Sequence, residues 1–325
     1  MKLRVALIYG GRSGEHEISL RSAKSIIDAL DPERYHVLHY VINKEGRWSP
    51  KPIQPEPGSN SPIDVAFPIL HGTFGEDGTV QGLLELADLP YVGPGVFASA
   101  AAMDKDAMKR LCKERGLPVV DWITVYRDDL AAAQPEKHFS YPMFVKPANL
   151  GSSVGISKVS SADGLQPALT TAAQFDRKIL VERGIVGREL ECAVMGNDHP
   201  IASEPCEIIP SKEFYDYEDK YHLDKAQCLI PADLPAATTA ELRRIAVEAY
   251  QAVQCEGMSR VDFLLEAATG QLYINEINTI PGFTSISMFP KMWEHSGYPM
   301  PRLLDRLIEL AIERHKHKKA LRYSL

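Results

Sequence analysis

Two short segments near the C-terminal end constrain this chain more than any other feature. Arg260-Val261-Asp262 and Asn275-Glu276-Ile277-Asn278 lie in stretches that read as β-strands, where side chains two apart share a face. Arg260 and Asp262 therefore point one way, and so do Glu276 and Asn278. Between them, Glu266–Gln271 carries the turn signal Thr269-Gly270, which predicts a hairpin. Folding that hairpin sets Asp262 opposite Glu276. Facing carboxylates repel unless a cation lies between them. The candidate ligands offer oxygen alone, with no neighbouring His or Cys, a set that selects magnesium or manganese over zinc. Taken alone, the same residues also fit a solvated acidic face.

The 325 residues suit two or three compact units. A formal net charge of −7 argues against a broad nucleic-acid footprint, and the basic run His315–Lys319 reads as the solvated end of a helix. No apolar stretch approaches the roughly 20 residues of a membrane span. The opening Met1–Tyr9 has a short apolar run followed by Gly10-Gly11-Arg12, so it reads as a buried strand rather than a signal peptide. Cysteines 112, 192, 206, 228 and 255 are odd in number and never spaced C-x-x-C. That excludes a simple disulfide framework or zinc knuckle and points to reduced thiols in the cytoplasm.

Strand-like runs at 3–9, 37–42 and 65–70, with a helix between the first two reaching about Leu30, predict a parallel α/β unit. Lys51–Pro62 reads as a surface loop, and Leu89–Pro94 as a last short strand. A helix over Asp104–Arg115 leads to a small mixed unit with strands at 122–126, 142–146, 155–159 and 178–182, which Gly184 and Gly187 interrupt. The final unit has strands at 188–195, 205–209, 259–265 and 272–278, and helices at 239–251 and 301–315. The implied boundaries are 1–94, 95–187 and 188–325.

Three loops could carry chemistry. Phe144–Gly155 delivers Lys146 from a strand into a Gly/Ser-rich loop able to wrap phosphate oxygens, yet it lacks the G-K-[ST] of a Walker loop. Gly10–His16 departs from the dinucleotide glycine spacing, and Asn43 stands where that fold needs an acid. It instead sets Glu15 at a helix start, facing a substrate ammonium or serving only as a first-turn acid. His71–Gly78 ends a strand in a glycine-rich loop.

Together GGRSGEHEIS, HGTFGEDGT, FVKPANLGSSVGISKV, FYDYEDKY, SRVDFLL and INEINTIPGFTSIS resemble, in order and from residue 10 to beyond 287, the D-alanine–D-alanine ligases of the ATP-grasp superfamily. The resemblance implies an N-terminal parallel α/β domain followed by a two-subdomain ATP-grasp fold, α/β and α+β in class. It implies ATP as substrate, bound by Lys105, Lys146, Ser153 and Lys220, with Glu182, Arg183, Gly184 and Ile185 as the adenine hinge and Glu189 on the ribose. Asp262, Glu276 and Asn278 match ligands of two Mg2+ or Mn2+ ions. Glu15 would hold the first D-alanine's ammonium, supported by Ser152 and Tyr221, with His71 nearby. Arg260 and the Gly282 N–H match the oxyanion-stabilising groups, and Ser287 with Met288 the site of the second D-alanine's carboxylate.

The implied reaction forms an acyl phosphate on one D-alanine, which the amine of the second attacks, while closure of the 211–228 loop excludes water. The resemblance further implies a cytoplasmic homodimer serving peptidoglycan synthesis, without nucleic-acid or membrane partners. A ligase making D-alanyl-D-lactate is the nearest alternative, although Lys220-Tyr221 resembles the dipeptide-forming enzymes. Another ATP-grasp carboxylate–amine ligase would leave GGRSGEHEIS unexplained. A nicotinamide dehydrogenase would leave the carboxylate hairpin unexplained, and a non-catalytic nucleotide-binding regulator is the remaining reading.

Overall fold

The computed structural model describes residues 2–151, 154–209 and 227–322. Ser152, Ser153, Lys220 and Tyr221, and with them most of the expected closing loop, lie outside the described residues.

The chain begins with β1 (Leu3–Gly10), α1 (His16–Ala29), β2 (Tyr35–Ile42), β3 (Trp48–Ser49), β4 (Val65–Pro68) and α2 (Thr79–Leu86). Their sheet runs β3-β2-β1-β4, with β2 and β4 parallel to β1 and β3 antiparallel to β2. Val5, Ala6, Leu7 and Ile8 are fully buried, as a central parallel strand covered on both faces requires. Arg4 fastens β1 to the entry of β4: its guanidinium donates to both oxygens of Asp64, at 2.8 and 2.6 Å. The strand expected over Leu89–Pro94 shrinks to one bridge between Tyr91 and Ala66. Pro90 and Pro94 carry no N–H, so the ladder cannot extend.

The single helix expected over Asp104–Arg115 is two, α3 (Val96–Met103) and α4 (Lys105–Glu114). Asp104 separates them in an extended conformation, and its carboxylate accepts from the Asp106 and Ala107 N–H groups, both at 3.1 Å. An Asp cap of this kind stabilises a helix by about 1 kcal/mol, and here it fixes Lys105 as the first helical residue.

A second sheet, wholly antiparallel, runs β5 (Trp122–Tyr126), β8 (Lys178–Arg183), β6 (Met143–Pro147), β7 (Ser157–Val159). The helix α5 (Ala162–Ala172) packs on it, joining Leu165 and Leu169 to Val145, Ile179 and Val181. The third sheet runs β12 (Gln227–Leu229), β11 (Cys206–Ile209), β9 (Gly187–Gly196), β13 (Gly257–Glu266), β14 (Leu272–Asn278), with β10 (Ile201–Ala202) beside β9. Alternate residues of β9 serve two cores. Cys192 and Val194 meet α3, α4 and α6 (Ala236–Ala252), whereas Ala193 and Met195 meet α7 (Met288–His295) and α8 (Met300–Lys319). The latter core continues into Val5, Leu7 and Phe67 of the first sheet. Basic residues after His315 do not simply face solvent: Lys318 pairs with Glu85 and Lys319 with Asp88.

Candidate active site

The hairpin forms as the alternation requires. In β13 and β14, Asp262 stands directly opposite Glu276 and Arg260 opposite Asn278, with a bulge just after Asp262. The protein's own cations sit on these carboxylates. Arg260 grips Asp262 through two 2.6 Å bonds and lies 3.2 Å from Glu191, while Lys105 is 3.5 Å from Glu276. Burial draws the Arg260 guanidinium down, but Asp262 and Glu191 outweigh it and hold it charged, well above its ordinary range. Asn278 Oδ1 is buried and accepts no hydrogen bond among the described residues. An orphaned amide oxygen beside two facing carboxylates is a donor set for a hard cation, and it fits magnesium or manganese.

These groups line a cavity of about 530 Å³. Into it come Glu15, Arg21, His71 and Glu76 from the first sheet's loops, Lys105 from α4, Gly151 from the Gly/Ser-rich loop, and Gly282, Ser287, Met288 and Lys291 from beyond β14. Glu15 is the residue just before α1, where an anion is favoured by the helix terminus. Ser287 precedes α7 and Met288 opens it, so free N–H groups there suit a carboxylate. A side chain at Gly282 would bring its Cβ to 2.7 Å from the Ser287 hydroxyl, itself bonded to Thr284, so the close approach requires glycine.

Beside this cavity is a buried charge cluster. Lys146 on β6 reaches Glu182 on β8 at 2.7 Å and donates to Asn275 Oδ1 at 3.1 Å. Lys109 of α4, fully buried, lies 3.0 Å from the other Glu182 oxygen and donates to the Val120 carbonyl. Burial pushes the Glu182 carboxyl up, but the two lysines overcome it and leave it at about 2. The Glu182 side chain thus orients lysines and is not open to a ligand. Arg183, next along the expected hinge, turns to Glu266 at 2.6 Å and stacks on Tyr273. Gly184 admits no side chain, because a Cβ would meet the Pro142 carbonyl oxygen at 2.3 Å. What the hinge Glu182–Ile185 can offer a base is therefore mainly backbone. Glu189 lies on β9 opposite Ile208 and Leu264.

His71 is not an open ligand in this structure. Its ring is buried, with Nδ1 3.0 Å from the Ile280 carbonyl and Nε2 3.3 Å from Ser22 Oγ. Burial draws its pKa below the ordinary value, against the pull of Glu15. Sequence reasoning missed Glu76, Glu191 and Lys109. Glu76 is buried and accepts from the Gly72 N–H at 2.5 Å and the Ile280 N–H at 3.4 Å. Burial and then Glu15 push its carboxyl up to about 8. Nothing in the spacing of Gly75-Glu76-Asp77 distinguishes it from its exposed-turn neighbour, and Lys109 looks like any polar residue of an amphipathic helix.

A parallel α/β unit followed by two antiparallel sheets, with a cavity between them lined by lysines, carboxylates and helix N-termini, defines an enzyme of the ATP-grasp fold. Structural neighbours bear this out: the D-alanine–D-alanine ligase from Coxiella burnetii superimposes with a TM-score of 0.88 at 40% identity, covering 98% of this chain and 96% of that one. The VanG D-Ala:D-Ser ligase from Enterococcus faecalis gives 0.88 at 34% identity, covering 96% and 100%. The family profile "D-ala D-ala ligase C-terminus" matches residues 111–309, and "D-ala D-ala ligase N-terminus" matches 4–60 and 50–94. A D-alanine–D-alanine ligase of Solibacter usitatus is 65% identical over 324 residues, 100% of each chain. This chain belongs to the D-alanine–D-alanine ligase family.

Proposed function

We propose that the cavity binds ATP and two D-alanine molecules and joins the latter into D-alanyl-D-alanine for cell-wall synthesis. The observation that carries this reading is the convergence of Glu15, Arg260, Glu276, Asn278, Gly282 and Ser287, from three distant stretches of chain, on one cavity. The γ-phosphoryl group of ATP passes to one carboxylate oxygen of the first D-alanine, giving ADP and an acyl phosphate. The amine of the second attacks the acyl carbon, the tetrahedral oxyanion collapses, and phosphate departs. Glu15 holds the first ammonium, with Ser152 and Tyr221 as its supports. Arg260 and the Gly282 N–H stabilise the oxyanion by preorganised charge. Ser287 and Met288, at a helix N-terminus, take the second carboxylate.

Lys105, Lys146, Ser153 and Lys220 bind phosphate, Glu182–Ile185 the adenine and Glu189 the ribose. Asp262, Glu276 and Asn278 would hold two Mg2+ or Mn2+ ions, which supply charge neutralisation for the phosphates. The three units 1–94, 95–187 and 188–325, a cytoplasmic location and a homodimer complete the proposal; light scattering reads the last. The five cysteines are free, in keeping with a reducing compartment. Among the described residues no helix is long and apolar enough to cross a membrane. The test is phosphate release with ATP and magnesium on adding D-alanine, L-alanine, or D-alanine plus D-lactate or D-serine. Release with D-alanine and a dipeptide product is expected. Release without D-alanine, or none with it, overturns the reading.

A further inference from the structure

The segment Ile280-Pro281-Gly282-Phe283 carries the backbone N–H assigned above to the oxyanion, and every polar bond that fixes its ends comes from the first unit. The Phe283 N–H donates to Ser22 Oγ at 3.1 Å, and that hydroxyl lies 3.3 Å from His71 Nε2. The His71 Nδ1 is 3.0 Å from the Ile280 carbonyl, and the Ile280 N–H points to Glu76 Oε1 at 3.4 Å. Only one arrangement of protons satisfies the chain. Phe283 donates to Ser22, Ser22 donates to Nε2, and Nδ1–H donates to Ile280. The route leaves the segment at Phe283 and re-enters at Ile280, so Pro281 and Gly282 are held from both sides. Pro281 has no N–H to compete, which leaves the Gly282 N–H as the free donor between two anchored residues. Ser22 is fully buried on α1 and does not line the cavity.

We infer that Ser22 is a positioning residue, which through His71 and the Phe283 N–H holds the Gly282 N–H in place for the reaction. His71 accordingly acts by orienting this segment rather than by binding substrate. The inference rests on the ligase reading above. Ser22→Ala removes the hydroxyl yet keeps a strong helix former on α1, so folding should persist. The loss of an aligned oxyanion donor then lowers kcat roughly ten- to a hundredfold, with KM for ATP within about twofold of wild type. His71→Asn, whose amide can still donate to Ile280 but not engage Ser22, gives a similar loss. Because both act through one chain, the double variant is no slower than the slower single variant by more than about twofold. A Ser22→Ala kcat within twofold of wild type, or single losses that multiply in the double variant, overturns the inference. If Ser22→Ala fails to fold, His71→Asn decides: an unchanged kcat overturns it and a selective kcat loss supports it. A wild-type enzyme that releases no phosphate with D-alanine instead overturns the ligase reading, a separate outcome.

Discussion

Glu182 lies between Lys109 and Lys146 with almost no water, and each of the three is tolerable there only because of the others. Removing one partner of such a buried set strands charge, at about 3–5 kcal/mol. Lys109→Met should therefore lower stability by that order and also loosen Lys146, weakening ATP binding; denaturant melts and calorimetric titration with ATP read the two effects. The sign with pH is definite. The Glu182 carboxyl is depressed from 4.5 to about 2, so its contribution is complete above 4.5 and is lost as pH falls towards 2. With Lys109 gone the carboxyl rises, and the variant's acid unfolding should begin at higher pH than that of the wild type. An identical acid midpoint would contradict the cluster's role. Little of this was legible in the sequence: Lys146 stood out because a glycine-rich loop follows it, but Lys109 reaches Glu182 only through the packing of α4 on β5 and β8. Glu76 was hidden for the same reason, since its burial comes from Ile280, 204 residues away.

The hairpin β13–β14 was the most legible part, because a period of two fixes which side chains share a face and a six-residue turn region leaves little freedom of register. Asp262 does face Glu276. What alternation could not reveal is that Arg260, on the same face, reaches along its own strand to Asp262, so a protein cation already offsets part of the repulsion. Glu276→Gln should thus fold normally, within about 0.5 kcal/mol of wild type, while turnover falls at least a hundredfold and magnesium activation flattens. Near-normal magnesium dependence would remove Glu276 from the proposed ligand set. Helices were less legible than strands here. The stretch Val96–Met103, VFASAAAM, has no polar face from which to read a helical period, and α5 carries Pro167 in its interior. Both were missed because packing, rather than amphipathic pattern, decides them.

The cavity takes Glu15 from the first unit and Gly282 and Ser287 from the last, so its dimensions depend on how firmly those units dock. The helix α8 supplies much of that docking. Arg314, on its inner side, donates to the Gly93 carbonyl at 2.5 Å and the Tyr91 carbonyl at 2.9 Å, and its guanidinium lies 4.3 Å over the Tyr91 ring. A planar fork can satisfy both carbonyls while stacking on the ring, which a lysine ammonium cannot. Hydrogen bonds from a charged donor contribute about 1.5–3 kcal/mol each, and the stacked cation adds about 0.5–1 kcal/mol. Arg314→Ala should then cost roughly 3 kcal/mol, since the two carbonyls recover some hydration once exposed. For a chain of this length that corresponds to a melting temperature lower by about 4 °C. Arg314→Lys should recover less than half of the loss. The catalytic signature should be a higher KM for D-alanine with a nearly unchanged KM for ATP, because ATP-binding groups are proposed from the two later units, whereas Glu15 belongs to the first. Differential scanning calorimetry and steady-state kinetics on the two variants decide it. An unchanged melting temperature, or a KM increase confined to ATP, would show that α8 does not set the spacing between Glu15 and Gly282.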